Sequence, residues 1–165
     1  MKEKFTTTKE LHKLFPKIAA SPSSAKSTSP IDRYYNCVAW ALGDQSSWWE
    51  PFVGTFPLTH WPIERRGYGI QHYVEMFISQ GFAVCDGPTQ ENGFDKIVLY
   101  VDANGKFLHV SKQTVDPKPG WGSKCGQKSD IWHATPELLE GADYGTVWGY
   151  LQRPSPDALA PAMRT

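Results

Sequence analysis

The pair of segments 95–102 and 106–112, joined around Asn104-Gly105, constrains this chain more than any other feature. Each segment alternates in polarity with a period of two, and Asn-Gly is the dipeptide that two-residue type I′ hairpins prefer. Taken as such a turn, the pairing sets Tyr100 opposite His109 and Val98 opposite Ser111. Ile97, Leu99, Val101, Leu108 and Val110 then share an aliphatic face that must be the core side, and His109 points to the more polar one. Around this hairpin the pattern is helical at 38–42 and 70–78, extended at 82–85, 121–125 and 146–152, and briefly helical after Thr135-Pro136. The expected core is Val38, Ala41, Leu42, Phe77, Ile78, Ile97, Leu99, Val101, Leu108, Val110 and Val147. Short returns between strands predict an antiparallel sheet with helices on one side, an α+β fold.

The length of 165 residues suits one domain with a real core, and 40% hydrophobic and 13% aromatic content excludes a disordered chain. Residues 5–20 carry Leu11, Leu14, Phe15 and Ile18 at helical spacing, interrupted by Pro16, and a Ser/Pro-rich stretch follows at 21–30. The expected organisation is a basic, Ser/Pro-rich arm or linker over 1–27, a single domain over 28–154, and a polar tail over 155–165.

Seventeen basic against seventeen acidic residues leave no net charge, which speaks against a nucleic-acid binder. The basic excess is local: residues 1–33 hold seven basic and three acidic side chains. No apolar run reaches the roughly 18 residues of a membrane span, and no hydrophobic signal core opens the chain. Cys37, Cys85 and Cys125 are odd in number and widely spaced, so the expected setting is a reduced cytoplasmic one, with non-classical export as the other route. No local metal-ligand pair and no phosphate-binding glycine loop exists, so no metal and no cofactor is expected.

Two residues carry potential chemistry. Cys37 falls with Asn36 in the first turn of the short helix whose stripe is Val38, Ala41 and Leu42, and His109 lies on the central hairpin. A thiol at a helix start facing an imidazole on a sheet is what a cysteine hydrolase needs, while a buried, inert cysteine fits the same pattern. Asn36 is either an oxyanion donor or a helix cap. Gln113, Ser123, Asp130 and His133 are the candidates for a third residue orienting the imidazole; Asp130 is the strongest acceptor among them, or else a cap or turn residue before Ile131. Trp48, Trp49 and Trp61, with Tyr100, are expected to wall a substrate groove, or else the tryptophans cover the core under the long loop at 46–68. His60 and His72 read as loop and helix-surface residues.

The block Tyr35-Asn36-Cys37-Val38-Ala39-Trp40-Ala41-Leu42-Gly43-Asp44 resembles a family of small bacterial proteins of uncharacterised function with the motif Asn-Cys-x-Ala-Trp-Ala-x-Gly-Asp. Resemblance extends through 93–100, His109-Val110-Ser111-Lys112-Gln113, 121–126, Asp130-Ile131-Trp132-His133 and 139–145, covering roughly 28–154. That family is in turn similar to compact papain-like hydrolases of the NlpC and CHAP types. The resemblance implies a papain-like fold, an antiparallel sheet packed against an N-terminal helix carrying the cysteine. It also implies a peptidase, amidase or deamidase in which Cys37 attacks an amide, His109 moves the proton, and a peptide or protein is the substrate. In NlpC-type hydrolases the orienting residue lies on the strand after the histidine, so the resemblance implies Ser123 for that role. Cys125 departs from the pattern, standing where an aliphatic residue is expected. The alternative is a non-catalytic binding module that uses the aromatic loop 48–61. A thiol pKa lowered toward 4–7 by the imidazole, with Sγ within about 4 Å of the His109 ring, is the expectation that goes with the enzyme.

Overall fold

The computed structural model describes residues 3–52, 59–116 and 118–156. The helices are α1 (Thr8–Leu14), α2 (Pro16–Ala20), α3 (Cys37–Ala41) and α4 (Ile70–Ser79). The strands are β1 (Ala25–Ser27), β2 (Trp48–Trp49), β3 (Thr59–His60), β4 (Ala83–Cys85), β5 (Phe94–Val101), β6 (Phe107–Thr114), β7 (Gly120–Lys124), β8 (Asp130–His133) and β9 (Thr146–Pro154). Seven of them form one sheet in the order β1-β8-β7-β6-β5-β9-β4, antiparallel throughout, and β2 pairs with β3 in parallel. The chain is thus α+β, as its pattern predicts.

The β5–β6 hairpin reaches the expected pairing by an unexpected route. Asp102 pairs with Lys106, so the loop has three residues, with Gly105 in the left-handed region at φ 80°. The Asp102 carboxylate closes the loop by accepting from the N–H groups of Asn104 and Lys106 at 2.8 and 2.9 Å. Such a loop shifts the register by one and pairs Val101 with Phe107. An irregularity between Tyr100 and Val101, with Leu108 as the extra residue on β6, shifts it back, so Tyr100 faces His109 and Val98 faces Ser111. Phe107 therefore takes the core-facing place that alternation assigned to Leu108, and its ring stacks on Tyr73 of α4 at 3.7 Å between centroids.

The sheet is covered on both faces, not one. Ile97, Leu99, Val110 and Leu151 lie under α3 and α4, packed with Val38, Ala41, Tyr73, Met76 and Phe77. Val98, Tyr100, Trp121 and Ile131 lie under the N-terminal segment, packed with Leu11, Phe15, Ile18 and Leu139. The expected arm 1–27 is corrected accordingly. Pro16 does break the helical pattern, but as the first residue of α2, which lets two short helices turn onto the sheet. Phe15 is fully buried, and β1 extends the sheet by pairing with β8. Ile78 is a second correction: it turns outward, half exposed, and Met76 fills the core in its stead. Of the expected tail, residues 157–165 lie outside the described residues. Among the described residues, no helix is long and apolar enough to cross a membrane.

Candidate active site

Asn36 precedes α3 in extended conformation and caps it, its Oδ1 accepting from the Ala39 N–H at 3.1 Å. The same oxygen accepts from the Trp49 N–H at 3.2 Å, and the Asn36 amide donates to the Trp49 carbonyl at 3.0 Å. Asn36 thus fixes the loop to the helix start with its oxygen and one amide N–H, and it lines the same cleft as Cys37, so its expected oxyanion role would fall to the second amide N–H. Backbone N–H groups of Val110, Val38 and Cys37 itself turn toward the Cys37 sulfur. Even so, burial outweighs them and pushes the thiol up to about 11. The low thiol pKa expected from the sequence is corrected: this thiol is protonated at neutral pH, and it makes no hydrogen bond to the His109 ring.

His109 is buried on β6, where its Nε2 lies 3.0 Å from Ser123 Oγ on β7. Ser123 Oγ lies in turn 2.8 Å from His133 Nε2 on β8, and His133 Nδ1 lies 2.9 Å from the Thr135 carbonyl. A carbonyl can only accept, so His133 Nδ1 carries the proton and its Nε2 is a bare acceptor. Ser123 then donates to His133 and accepts from His109 Nε2–H. This order leaves Nδ1 of His109 as its basic nitrogen. Burial, together with the neighbouring His133, lowers His109 to about 3, and burial lowers His133 to about 4, so both rings are neutral. Ser111 completes the polar row: with the Ser123 proton on the His133 side, the Ser111 hydroxyl is the donor in its 2.7 Å contact with Ser123 Oγ, and its oxygen lies 3.2 Å from Tyr100 Oη.

Tyr144 stacks flat on His109, ring centroids 4.5 Å apart at 17°, and Phe15 meets its edge at 5.1 Å. Gly145 makes this turn possible: its φ is 71°, and a Cβ there would fall 2.0 Å from the Val101 carbonyl oxygen. Cys37 and His109 both open onto one cleft of about 320 Å³ at the hairpin end of the sheet. Trp48, Glu50, Tyr68, Tyr73, Lys106, Phe107 and Tyr144 share its walls.

The other expected site residues are elsewhere. Asp130 accepts from Tyr35 Oη at 3.0 Å beside the buried Lys124 and does not touch His109. Gln113 donates to the Pro88 carbonyl at 2.7 Å. Trp49 and Trp61 are core residues, Trp49 donating to Asp44 at 2.8 Å and Trp61 packing edge-on to Tyr73 at 5.1 Å. Tyr100 is buried with its hydroxyl donating to the Pro136 carbonyl at 2.7 Å, outside the cleft. Of the expected groove only Trp48 lines it, and residues 53–58 of the aromatic loop 48–61 lie outside the described residues. Alternation alone missed Tyr144, Tyr68, Glu50 and Lys106. A signal for Tyr144 existed in the Gly141–Gly145 bracket around it, since paired glycines mark a tight return. Among the described residues, no group of three or more His, Cys, Asp or Glu is placed to hold a metal ion, and the three cysteines are unpaired.

The chain belongs to the family described as a domain of unknown function, DUF7689, whose model matches residues 26–152. No curated protein and no solved structure matches it.

Proposed function

We propose that this protein is a cysteine hydrolase of papain-like plan that cleaves an amide bond, with Cys37 as nucleophile and His109 as base. The observation that carries the reading is the proton order of the His109–Ser123–His133 row. It holds a neutral imidazole by one nitrogen and leaves the other basic, in a residue that shares its cleft with a cysteine thiol. Burial penalises the thiolate alone and the imidazolium alone, but the two charges compensate each other when formed together at short range. Proton transfer is therefore coupled to attack.

The thiol proton passes to His109 Nδ1 as sulfur bonds to the carbonyl carbon. The Val38 and Val110 N–H groups, which face the sulfur, are the backbone donors that stabilise the charge developing on the neighbouring oxygen. The tetrahedral adduct collapses, the C–N bond breaks, and the leaving amine takes the proton from His109, giving a thioester. Water then attacks, again deprotonated by His109, and the C–S bond breaks to release the acid and restore the thiol. Ser123 and His133 act as positioning residues, and Tyr144 fixes the plane of the ring. The setting we propose is the cytoplasm, where free thiols persist.

A panel of dipeptidyl 4-nitroanilides tests the reading. The wild type should release 4-nitroaniline, Cys37→Ala should release none, and His109→Ala should lose at least ~100-fold. A second reading keeps the cleft as a peptide-binding site without turnover. It is favoured by the protonated thiol and by the missing thiol–imidazole hydrogen bond, and equal, background rates for all three proteins would establish it.

A further inference from the structure

The cleft holds a carboxylate that the hydrolytic chemistry does not use. Glu50 follows β2, and its backbone N–H is fixed to the His60 carbonyl at 3.0 Å, so its position is set by the β2–β3 pair. Its carboxylate has no hydrogen-bond or ion-pair partner among the described residues. A half-buried carboxylate without a partner carries a desolvation cost, and burial is what pushes its pKa up. Three aromatic residues, Trp48, Tyr68 and Tyr73, line the same cleft. Trp48 is anchored by its indole N–H donating to the Arg33 carbonyl at 2.7 Å, and Tyr73 is clamped between Trp61 and Phe107. Tyr68 leans on Phe52 at 5.5 Å.

A carboxylate in a cleft shared with Trp48 and the exposed Tyr68 ring is an arrangement suited to an ammonium ion. The chain already uses one of these rings in that way, since the Lys106 ammonium sits 5.6 Å from the Tyr68 centroid. Cys37 and Glu50 line the same cleft of about 320 Å³, a volume that suits one small peptide-like molecule reaching both.

We propose that Glu50, with Trp48 and Tyr68 beside it in the cleft, is a subsite for an ammonium group, and that the substrate is a peptide-like amide bearing a free amine. This inference rests on the hydrolase reading but is tested apart from it. The probes are Ala-Ala 4-nitroanilide and its N-acetylated counterpart, titrated into intact Cys37→Ala protein by ligand-observed NMR. The free amine should bind at least about tenfold more tightly than the acetylated probe. Glu50→Gln, introduced beside Cys37→Ala, should bring the two within about twofold. Tyr68→Leu, a change at an exposed ring, should reduce the preference several-fold with Glu50 intact. Equal binding of the two probes, or a preference that survives Glu50→Gln, overturns the subsite. Turnover of both probes at equal rates by the wild type also overturns it and leaves the hydrolase standing. A Glu50-dependent preference without turnover supports the subsite and removes the hydrolase.

Discussion

Lowering the pH from 6.5 to 4.5 should cost this protein about 4 kcal/mol of stability through two side chains. His109 and His133 are fully buried and neutral, with pKa values lowered to about 3 and about 4, whereas in the unfolded chain each sits near 6.5. A base whose folded pKa is depressed binds its proton first in the unfolded state. Stability is therefore complete above pH 6.5 and falls as the pH drops toward the folded values. The slope is about 1.4 kcal/mol per pH unit for each histidine. Because the unfolded ring is only half charged at pH 6.5, the two pH units give about 2 kcal/mol per ring, a large share of the roughly 5–15 kcal/mol that holds a domain together. Asp130 and Glu50, both raised by burial, act in the opposite direction, so the slope must be apportioned. Urea unfolding at pH 7.0, 6.5, 5.5 and 4.5 measures it, and His133→Gln, which keeps a neutral polar group beside Ser123, should halve the slope. A wild-type stability that stays flat over this range would refute the proton order assigned to the row.

Two further predictions concern the core and the thiol. Phe15→Ala removes a fully buried ring between the N-terminal helices and the sheet and should cost about 3–5 kcal/mol, read as a lowered urea midpoint. No change would mean that the segment does not dock in solution. Cys37, with its thiol pushed up to about 11, should react with iodoacetamide at pH 7 at least roughly 100-fold more slowly than a free cysteine, as followed by peptide mass spectrometry. Rapid labelling at pH 6 would restore the ion pair that the sequence pattern suggested.

The hairpin and its pairing were legible because a period of two and a glycine turn leave few registers that bury an aliphatic face. What stayed hidden was that two one-residue shifts cancel there. Alternation counts residues, and it cannot see a three-residue loop offset by a bulge at Leu108. The start of α3 at Cys37 was legible from its cap and stripe. The docking of Leu11, Phe15 and Ile18 was not, since a proline-broken, serine-rich segment looks like a linker until the second sheet face needs a cover. At the site, the resemblance to NlpC-type hydrolases, and not the residue pattern itself, pointed to Ser123 as the partner of His109. Asp130 misled because acceptor strength says nothing about which face of β8 a residue takes, and Tyr35 claims its carboxylate. The thiol pKa went wrong for a simpler reason. A short helix start was credited with stabilising a thiolate, whereas burial of Cys37 depends on how the helix packs against β6, and that is tertiary.

The central claim is that Cys37 and His109 act together on a carbonyl. The direct measurement is the intact mass of the protein after brief exposure to N-acetyl-alanine 4-nitrophenyl ester, with 4-nitrophenolate release followed in parallel. The account predicts a burst of one equivalent and a single acyl adduct on Cys37, absent from His109→Ala, with Cys85 and Cys125 unmodified. An adduct on Cys85, or one on Cys37 that forms as fast without His109, would contradict it.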